Sequence, residues 1–492
     1  MEKRWKVKSV ENPEIVIKLS EELKIDKILA SLLVQRGITD YAGAKNFFRP
    51  QLKDLHDPFL MKDMDKAIVR LETAIQKNEK ILVYGDYDVD GTTAVSLVYS
   101  FLKSLPQCAA GQISYYIPDR YAEGYGISFT GIDFAKDNNF SLIIALDCGI
   151  KSIDKVSYAS ERNIDFIICD HHRPGDTLPD AVAVLDPKRD DCSYPFDELC
   201  GCGVGFKLVQ AYAQKNYIPF EQLSEYLDLT AISIASDLVP IVGENRILCY
   251  FGLEQINKSP RRGIKAILEL ANIKKEVTIN ELVFTIGPRI NAAGRIETGR
   301  NAVELLVSET LDHAQTSGRN INITNTERRS LDLTITQHAL SMIDNDPELI
   351  KRKSTVLFHN EWHKGVIGIV ASRLTEKYYR PTIVLTESNG KATGSARSVK
   401  DFDVYDAIEA CSDLLEQFGG HKYAAGLTLK LENLEAFQKR FEEVVSNTIL
   451  DHMLIPEIEI DAELDLCNIS PKFFRILKQF SPFGPGNPSP VF

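Results

Sequence analysis

The chain lacks long apolar runs, a secretory start and an even set of cysteines. No stretch of about 18 or more apolar residues occurs in its 492 residues, which excludes a membrane-spanning helix. Its first residues, MEKRWKVKSVENPEIVIKLSEEL, carry charges where a secretory signal would be apolar, so we expect no export and a cytoplasmic location. The nine cysteines lie mostly in apolar runs, and they suit reduced core residues better than a disulfide framework.

Zinc-type cysteine pairs are missing as well. Cys192, Cys200 and Cys202 are an alternative set of zinc ligands, but LCGCGVG does not have the C-x-x-C spacing of structural zinc sites. Close packing of small side chains is the favoured interpretation of this stretch.

Positive charge is scarce in the chain as a whole. The 57 Lys and Arg residues against 69 Asp and Glu give a net charge of -12, which argues against non-specific polyanion binding. Residues 351–400 nevertheless hold ten basic against three acidic residues, and residues 258–300 hold nine against four. These two stretches either hold a phosphate backbone on one face or form a solvated basic surface.

What the chain does have is an acidic cluster in ILVYGDYDVDGTTA. Asp86, Asp88 and Asp90 match the first positions of an EF-hand loop, but Leu97 stands where the bidentate Glu of that loop should be. The preceding KILVYG is typical of a buried strand, and the following GTTAVSLVYSFLKSL has helical spacing. The sequence therefore predicts a strand, an acidic turn and a helix, an arrangement that binds ligands at the carboxyl end of open α/β sheets.

The length predicts two to four domains. KILVYG, ISYYIP, SLIIALD, IDFIICD and DAVAVLD alternate with helical segments, which favours an α/β fold with a doubly wound parallel sheet. STVLFHN, PTIVLTES and ATGSARS begin a second α/β domain. The predicted parts are a helical lead-in (1–75), the first α/β domain (76–300), a connecting helix (301–345), the second α/β domain (346–452) and the start of a strand-rich unit (453–492) that ends as if truncated.

Further acids and imidazoles follow the predicted strands. Asp147 ends SLIIALD, while Asp170, His171 and His172 follow FIIC; Asp237 ends the helical AISIASD. Parallel strands point their carboxyl ends the same way, so these side chains can converge. Carboxylate with imidazole suits Mn²⁺ or Mg²⁺, and two such ions about 3.5–4 Å apart would activate water for phosphoester cleavage.

In this order, GDYDVDG, LDCG, DHH and SD resemble the motifs of the DHH phosphoesterase superfamily. IPDRYAEGYG, GPRINAAGR, EWHKGVIGIVASRL, GSARS and GGHKYAAGL resemble the RecJ family of single-stranded-DNA-specific exonucleases, and SPFGPGNPSPVF is similar to the entry into their OB fold. The resemblance covers almost the whole chain. It implies a DHH catalytic domain at 76–300, a DHH-associated substrate-binding domain at 346–452 and a truncated OB fold at 453–492.

The resemblance also implies site residues. The implied metal ligands are Asp86, Asp88, Asp90, Asp147, His171 and Asp237, with Asp86 either a ligand or next to the ligands. The implied catalytic residues are Asp147, His171 and His172. Tyr84 stands where family members often have His, so this chain departs from the pattern there.

The substrate contacts implied by the resemblance lie in both α/β domains. A small-residue turn, ATGSARS, and the glycine-rich GGHKYAAG would capture a 5′-phosphate, since guanidinium groups and backbone N–H groups bind phosphate oxygens. The implied residues are Arg120, Tyr125, Arg289, Asn291, Arg295, Trp362, His363, Ser395, Arg397, Gly420 and His421. For Trp362 and His363 a position in the core is the alternative.

The implied function is 5′ to 3′ hydrolysis of single-stranded DNA to 5′-mononucleotides in recombination and repair, with two Mn²⁺ or Mg²⁺ ions. Single-strand-binding protein and a RecQ-type helicase are the expected partners, and no membrane is involved. Two alternatives are a superfamily phosphoesterase acting on short oligonucleotides and a non-catalytic Cdc45-like scaffold. The presence of every acid of the motifs argues against the scaffold.

Overall fold

The computed structural model describes residues 3–9 and 12–492, which belong to two compact units. The larger unit contains the described residues from 9 to 325 and from 464 to 490. The smaller contains those up to 8, from 326 to 463, and 491–492. Among the described residues no helix is both long enough and apolar enough to span a bilayer.

The strands in chain order are β1 (Arg4–Val7), β2 (Lys80–Gly85), β3 (Ile113–Tyr116), β4 (Phe140–Leu146), β5 (Asp165–Cys169), β6 (Ala183–Leu185), β7 (Thr355–Phe358), β8 (Thr382–Ser388), β9 (Lys391–Arg397), β10 (Gln417–His421), β11 (Ala424–Lys430) and β12 (Glu457–Ile460).

The helices are α1 (Pro13–Leu23), α2 (Lys27–Val34), α3 (Tyr41–Phe48), α4 (Met64–Gln76), α5 (Val89–Ser104), α6 (Phe129–Asp137), α7 (Ile153–Ser160), α8 (Gly201–Lys215), α9 (Leu227–Asp237), α10 (Gly243–Lys258), α11 (Arg262–Leu270), α12 (Ile279–Glu281), α13 (Gly287–Ile296), α14 (Arg300–Leu306), α15 (Leu311–Asp344), α16 (Pro347–Lys351), α17 (Ile367–Tyr378), α18 (Val404–Glu409), α19 (Leu434–Thr448) and α20 (Pro471–Lys478).

The larger unit is built on a five-stranded sheet with the order β3-β2-β4-β5-β6. All four pairings are parallel. Both faces of the sheet are buried, because Ile81 and Val83 belong to one apolar cluster while Leu82 and Tyr84 belong to another. The predicted doubly wound parallel sheet is confirmed, and its strands end together at one edge.

The smaller unit has a mixed sheet with the order β10-β11-β9-β8-β7. Only β7 and β8 pair in parallel; the other pairings are antiparallel. Asn389 and Gly390 both have positive φ between β8 and β9, as a two-residue hairpin turn requires.

This hairpin corrects one sequence prediction. ATGSARS was predicted as a turn, but its residues through Arg397 form β9, where small and polar residues alternate between buried and half-buried positions. Arg397 therefore stands at the end of a strand paired on both sides, with Thr382 of β8 and Ala424 of β11.

The remaining segments extend these two units. The lead-in has the predicted helices α1 to α4, and a short strand, β1, that was not predicted pairs in parallel with β12. The polar segment after residue 302 contains the 34-residue helix α15, as its helical pattern predicted. In the region from 453 to 492 the structure has the strand β12 and the helix α20.

Candidate metal centre

Four strands of the parallel sheet are each followed by an aspartate. Asp86 follows β2, Asp147 follows β4, Asp170 follows β5 and Asp186 follows β6. All four side chains are almost completely buried. Because the strands are parallel, the sheet brings these acids to one edge, which we call the carboxyl edge.

The first turn of α5 adds two more carboxylates. Asp88 caps the helix by accepting a hydrogen bond from the Gly91 backbone N–H at 3.1 Å. Asp90 accepts hydrogen bonds at 2.7 Å from the backbone N–H groups of Gly201 and Cys202, at the start of α8, and from the Ser233 hydroxyl at 2.6 Å. The Asp90 carboxylate is thereby fixed between three helices.

His171 lies at the centre of the acids. Its Nε2 atom is 3.2 Å from Asp147 Oδ1, 3.6 Å from Asp90 Oδ2 and 3.7 Å from Asp237 Oδ2. Two groups of possible ligand atoms share this histidine: one adds Asp147 and His172, the other Asp90 and Asp237. The structure therefore brings Asp90, Asp147, His171 and Asp237 together, as the sequence predicted.

Asp170 has a different role from the other acids of the carboxyl edge. Its Oδ1 accepts hydrogen bonds from the backbone N–H groups of His171 at 2.8 Å and His172 at 3.1 Å, and lies 2.7 Å from the Nδ1 of His172. Its Oδ2 accepts one from the Ile150 N–H at 2.9 Å. Burial alone would raise the pKa of Asp170, but these donors and the His172 charge lower it. Asp170 orients the two histidines.

The electrostatics of the edge call for a cation. Burial and the charge of Asp88 raise the pKa of Asp86 to about 8, and burial with the charges of Asp90 and Asp88 raises that of Asp237 to about 8. Burial and neighbouring carboxylates also raise the pKa of Asp147 well above its usual value. Removing like charges from water is unfavourable unless a positive charge offsets them.

The donor set fits Mn²⁺ or Mg²⁺. Asp86 Oδ2 and both ring nitrogens of His171 are buried without a hydrogen-bond partner in the part of the chain that the structure describes. Oxygen ligands with one or two imidazoles suit these ions. By contrast, Cys200 and Cys202 are buried in the core, and no cysteine belongs to a group of potential metal ligands among the described residues.

Glycine is needed where α8 meets the edge. A Cβ atom on Gly201 would lie 2.6 Å from the Asp147 Cβ and 2.7 Å from its Oδ1. An alanine at this position would displace the aspartate, so the CGCG stretch provides the small residue that the site requires.

Two predicted DNA contacts lie beside the carboxyl edge. The exposed Tyr125 has its hydroxyl 3.2 Å from the Asp147 carbonyl oxygen and 3.3 Å from His172 Nε2. The Arg120 guanidinium lies over the Tyr87 ring, 4.3 Å from its centroid. Tyr125 therefore borders the candidate site, and Arg120 packs on the residue between Asp86 and Asp88.

Three further predicted contacts lie on α13 in the larger unit. Arg289 donates hydrogen bonds to Asn322 Oδ1 at 3.1 Å and to the Thr285 carbonyl at 2.8 Å. Asn291 and Arg295 are half-buried on the same helix, and the Arg295 carbonyl accepts a hydrogen bond from the Tyr121 hydroxyl.

The other predicted contacts lie in the smaller unit. Arg397 donates to Ser395 Oγ at 2.8 Å and to the Ala396 carbonyl at 2.7 Å. A Cβ on Gly368, in the first turn of α17, would lie 3.1 Å from Arg397 Nη2. His421 is close enough that burial and the Arg397 charge lower its pKa, and it follows the exposed Gly420 at the end of β10. We call this group the arginine corner.

Trp362 was predicted as a substrate contact or a core residue, and the structure places its side chain in the core. Its side chain is buried in an apolar cluster with Ile335 and Ala339 of α15, and its indole N–H lies 3.3 Å from His338 Nδ1. The neighbouring His363 is half-buried and accepts a hydrogen bond from the Gly365 N–H at 3.1 Å.

Sequence reasoning missed two residues at the edge. Asp186 ends a predicted strand just as Asp147 does, so the same signal would have found it; burial raises its pKa to about 7. The half-buried Lys188 lies close enough for its charge to act on both His171 and Asp237. The sequence signal that could have identified Lys188 was its position two residues after the strand-end Asp186.

Family models match three parts of the chain. The model of the DHH family, N-terminal domain, matches residues 80–234. That of the DHHA1 domain matches residues 351–447, and that of the RecJ OB domain matches residues 460–492.

Curated relatives match nearly the whole chain. The single-stranded-DNA-specific exonuclease RecJ of Bacillus subtilis is 39% identical over 490 residues, which are 99% of this chain and 61% of the relative. The exonuclease of the same name from Salmonella typhimurium is 35% identical over 455 residues, which cover 88% of this chain and 78% of the relative.

A solved structure has the same fold. The crystal structure of RecJ from Thermus thermophilus in complex with Mn²⁺ matches with a TM-score of 0.86 and 29% identity, covering 99% of this chain and 69% of the other. The Mg²⁺ complex of that protein matches with a TM-score of 0.80 and 28% identity, over 99% and 67% of the two chains.

Proposed function

This chain belongs to the RecJ family of single-stranded-DNA-specific exonucleases, and we propose that it hydrolyses single-stranded DNA from the 5′ end to 5′-mononucleotides in recombination and repair. Family membership confirms the resemblance that the motifs indicated. The activity is proposed for the chain as given, which spans 61% of the Bacillus relative. The observation that carries the proposal is the convergence of Asp90, Asp147, His171 and Asp237 at the carboxyl edge.

We propose that this edge holds two Mn²⁺ or Mg²⁺ ions, the ions named in the Thermus structures. The ligands would be Asp86, Asp88, Asp90, Asp147, His171 and Asp237. When bound, the ions supply positive charge that activates water and offsets the charge of the leaving oxygen.

The chain's own residues prepare the site for a phosphodiester. Asp90 is held by the N-terminus of α8, and Asp170 fixes the ring of His172. Burial alone would lower the pKa of His172, but its hydrogen bond with Asp170 and that carboxylate's charge raise it to about 9. A raised pKa favours the protonated ring, whose Nε2–H, 3.3 Å from the Tyr125 hydroxyl, would donate to a phosphate oxygen.

The 5′-phosphate would bind at the arginine corner. Among the described residues, the hydrogen bonds of Arg397 go to a hydroxyl and a carbonyl rather than to a carboxylate, so its charge remains for a phosphate. Ser395, Gly420 and His421 would supply further donors. An anchored 5′ end would account for cutting in one direction, because only that end of the strand carries the phosphate that Arg397 would bind.

Single-strand contacts would come from the larger unit. Tyr125 can stack on a base with its exposed ring, and Arg120, Arg289, Asn291 and Arg295 can contact phosphates. These side chains lie on the same unit as the metal centre.

The partners follow from the substrate. A nuclease that cuts only single strands requires a helicase to open duplex DNA, and cellular single strands are covered by a binding protein. We therefore propose a RecQ-type helicase and single-strand-binding protein as partners in the cytoplasm.

The test compares 5′-labelled and 3′-labelled single-stranded DNA, duplex DNA and a dinucleotide in Mn²⁺ or Mg²⁺. We expect mononucleotide to appear first from the 5′ label of the single strand. Asp147→Asn should be inactive, while Asp154→Asn, an exposed aspartate on α7, should retain activity.

Two other outcomes of this test would each replace the proposed function with an alternative. Cleavage of the dinucleotide alone would assign the chain to short-oligonucleotide hydrolysis. Binding of single-stranded DNA without cleavage in either ion would assign it to a scaffold role.

A further inference from the structure

Residues 479–488 close on themselves around one buried amide. The Asn487 side chain donates from Nδ2 to the Phe480 and Pro482 carbonyls, each at 2.8 Å, and its Oδ1 accepts from Arg36 Nε at 2.7 Å. The backbones of Gly484 and Asn487 exchange hydrogen bonds at 2.9 and 3.0 Å. We call this segment the anchor loop.

Arg246 of α10 fastens the anchor loop to the larger unit. This arginine is buried and donates to the carbonyl oxygens of Phe480 at 3.0 Å, Ser481 at 2.9 Å and Gln479 at 3.3 Å. These carbonyls follow α20, and the Phe480 carbonyl is shared between Arg246 and the Asn487 amide. A buried guanidinium satisfied by several carbonyls holds its segment firmly, because releasing it would leave both the charge and the carbonyls unpaired.

The anchor loop contacts the turn between α9 and α10. The Ile241 N–H donates to the Pro485 carbonyl at 2.7 Å. A Cβ atom on Gly484 would lie 2.5 Å from Ile241 Cδ1, and one on Gly486 would lie 3.1 Å from Val242 Cγ1 and 3.2 Å from Pro240 Cβ. A side chain at Gly484 would therefore overlap Ile241, and one at Gly486 would crowd Val242 and Pro240.

That turn begins at Asp237. Asp237 is the last residue of α9, and Leu238 leaves the helix with φ of 61°. Asp86 and Asp147 follow buried strands, and three hydrogen bonds hold Asp90, but among the described residues no hydrogen bond holds the Asp237 carboxylate. The path of the turn sets where this carboxylate lies.

We propose that the anchor loop is a positioning element of the metal centre, which holds the turn after α9 so that Asp237 faces His171. The segment matched by the RecJ OB model thereby also serves the catalytic unit of this chain. The inference rests on the proposed function in one respect, that Asp237 is a metal ligand.

The test measures Mn²⁺ binding by titration calorimetry and hydrogen exchange of residues 238–242, both without DNA. In Gly486→Ala, we expect Mn²⁺ affinity to fall about 10-fold, as for residues that orient metal ligands, and exchange at Ile241 to quicken. Gly484→Ala is the gentler companion, since its Cβ would meet the flexible end of a side chain. Gly111→Ala is the matched control: its φ of 79° resembles the 72° of Gly486, but nothing lies within 4 Å of its Cβ position.

The outcomes separate the two proposals. Unchanged Mn²⁺ affinity in folded Gly486→Ala and Gly484→Ala, with a parent chain that binds Mn²⁺, would overturn the inference alone. An equal loss in Gly111→Ala would also overturn it, because general backbone strain would then explain the effect. A parent chain that binds no Mn²⁺ would overturn both this inference and the proposed function.

Discussion

The carboxyl edge and the arginine corner both lie at strand ends, yet they collect opposite charges in different ways. Parallel strands bring Asp86, Asp147 and Asp170 together from distant parts of the sequence. In the smaller unit β9 runs antiparallel to both neighbours, so the end of β9, with Arg397, meets the starts of β8 and β11 rather than other strand ends.

The difference shows which charges each topology can support. Several buried carboxylates at one edge repel one another and require a cation. A single guanidinium satisfied in part by Ser395 and a carbonyl needs no fixed counter-ion and remains open to a phosphate. Three predictions test whether the carboxyl edge binds cations while the arginine corner binds phosphate.

The largest effect is expected at the carboxyl edge from Asp90→Asn. The amide would lose charge and turn its NH₂ toward the N–H groups of Gly201 or Cys202, so exonuclease activity should fall by about 10²–10³-fold or more and the melting temperature should drop. Ser233→Ala is the matched control, since it removes one hydrogen bond of about 1 kcal/mol and keeps the carboxylate. Equal activity in the two variants would contradict a metal role for Asp90.

A smaller effect is expected at the arginine corner from Arg397→Ala. A lost charge-assisted hydrogen bond of about 1.5–3 kcal/mol should raise KM for 5′-phosphorylated DNA about 10–100-fold while kcat changes little. DNA with a 5′-hydroxyl should show no such change. Arg440→Ala, at an exposed ion pair of the same unit, is the control. If KM rises equally for 5′-phosphorylated and 5′-hydroxyl DNA, the arginine corner does not recognise the 5′-phosphate.

The smallest effect concerns the pH dependence of stability without metal. Asp237 has a pKa raised from 3.8 to about 8, so the folded chain binds more protons than the unfolded chain within that window. The free energy of unfolding should therefore decrease as pH rises from 5 to 8 in EDTA. Calorimetry should show a melting temperature lower by a few degrees at pH 8, and a smaller difference in Asp237→Asn. If the decrease in melting temperature at pH 8 is unchanged in Asp237→Asn, groups other than Asp237 cause it.

The sequence predicted the carboxyl edge well because local patterns determine where strands end. KILVYG corresponds to Lys80–Gly85, and the acids that follow the apolar runs lie together as expected. What it could not predict is the direction of each carboxylate. Asp170 and Asp147 look alike in sequence, but Asp170 accepts four hydrogen bonds from its own turn and from Ile150.

The smaller unit was harder to predict because its signals are non-local. The Asn389–Gly390 pair before ATGSARS is a hairpin signal that outweighs the glycine and small residues of that stretch. The burial of Trp362 depends on α15 residues that precede it in the chain, and periodicity around Trp362 does not show this. The contact of Pro485 with Ile241 is still more distant in sequence.

That last contact has a consequence for the timing of synthesis. Protein chains emerge from the ribosome at about 5–20 residues per second and fold from the N-terminal side. The strands that carry Asp86 and Asp147 can assemble well before residues 479–488 exist, while the turn after Asp237 must wait for them. If the anchor loop positions Asp237 as we propose, a nascent chain would carry most of its acids in place and still bind metal weakly until residues 479–488 had left the ribosome.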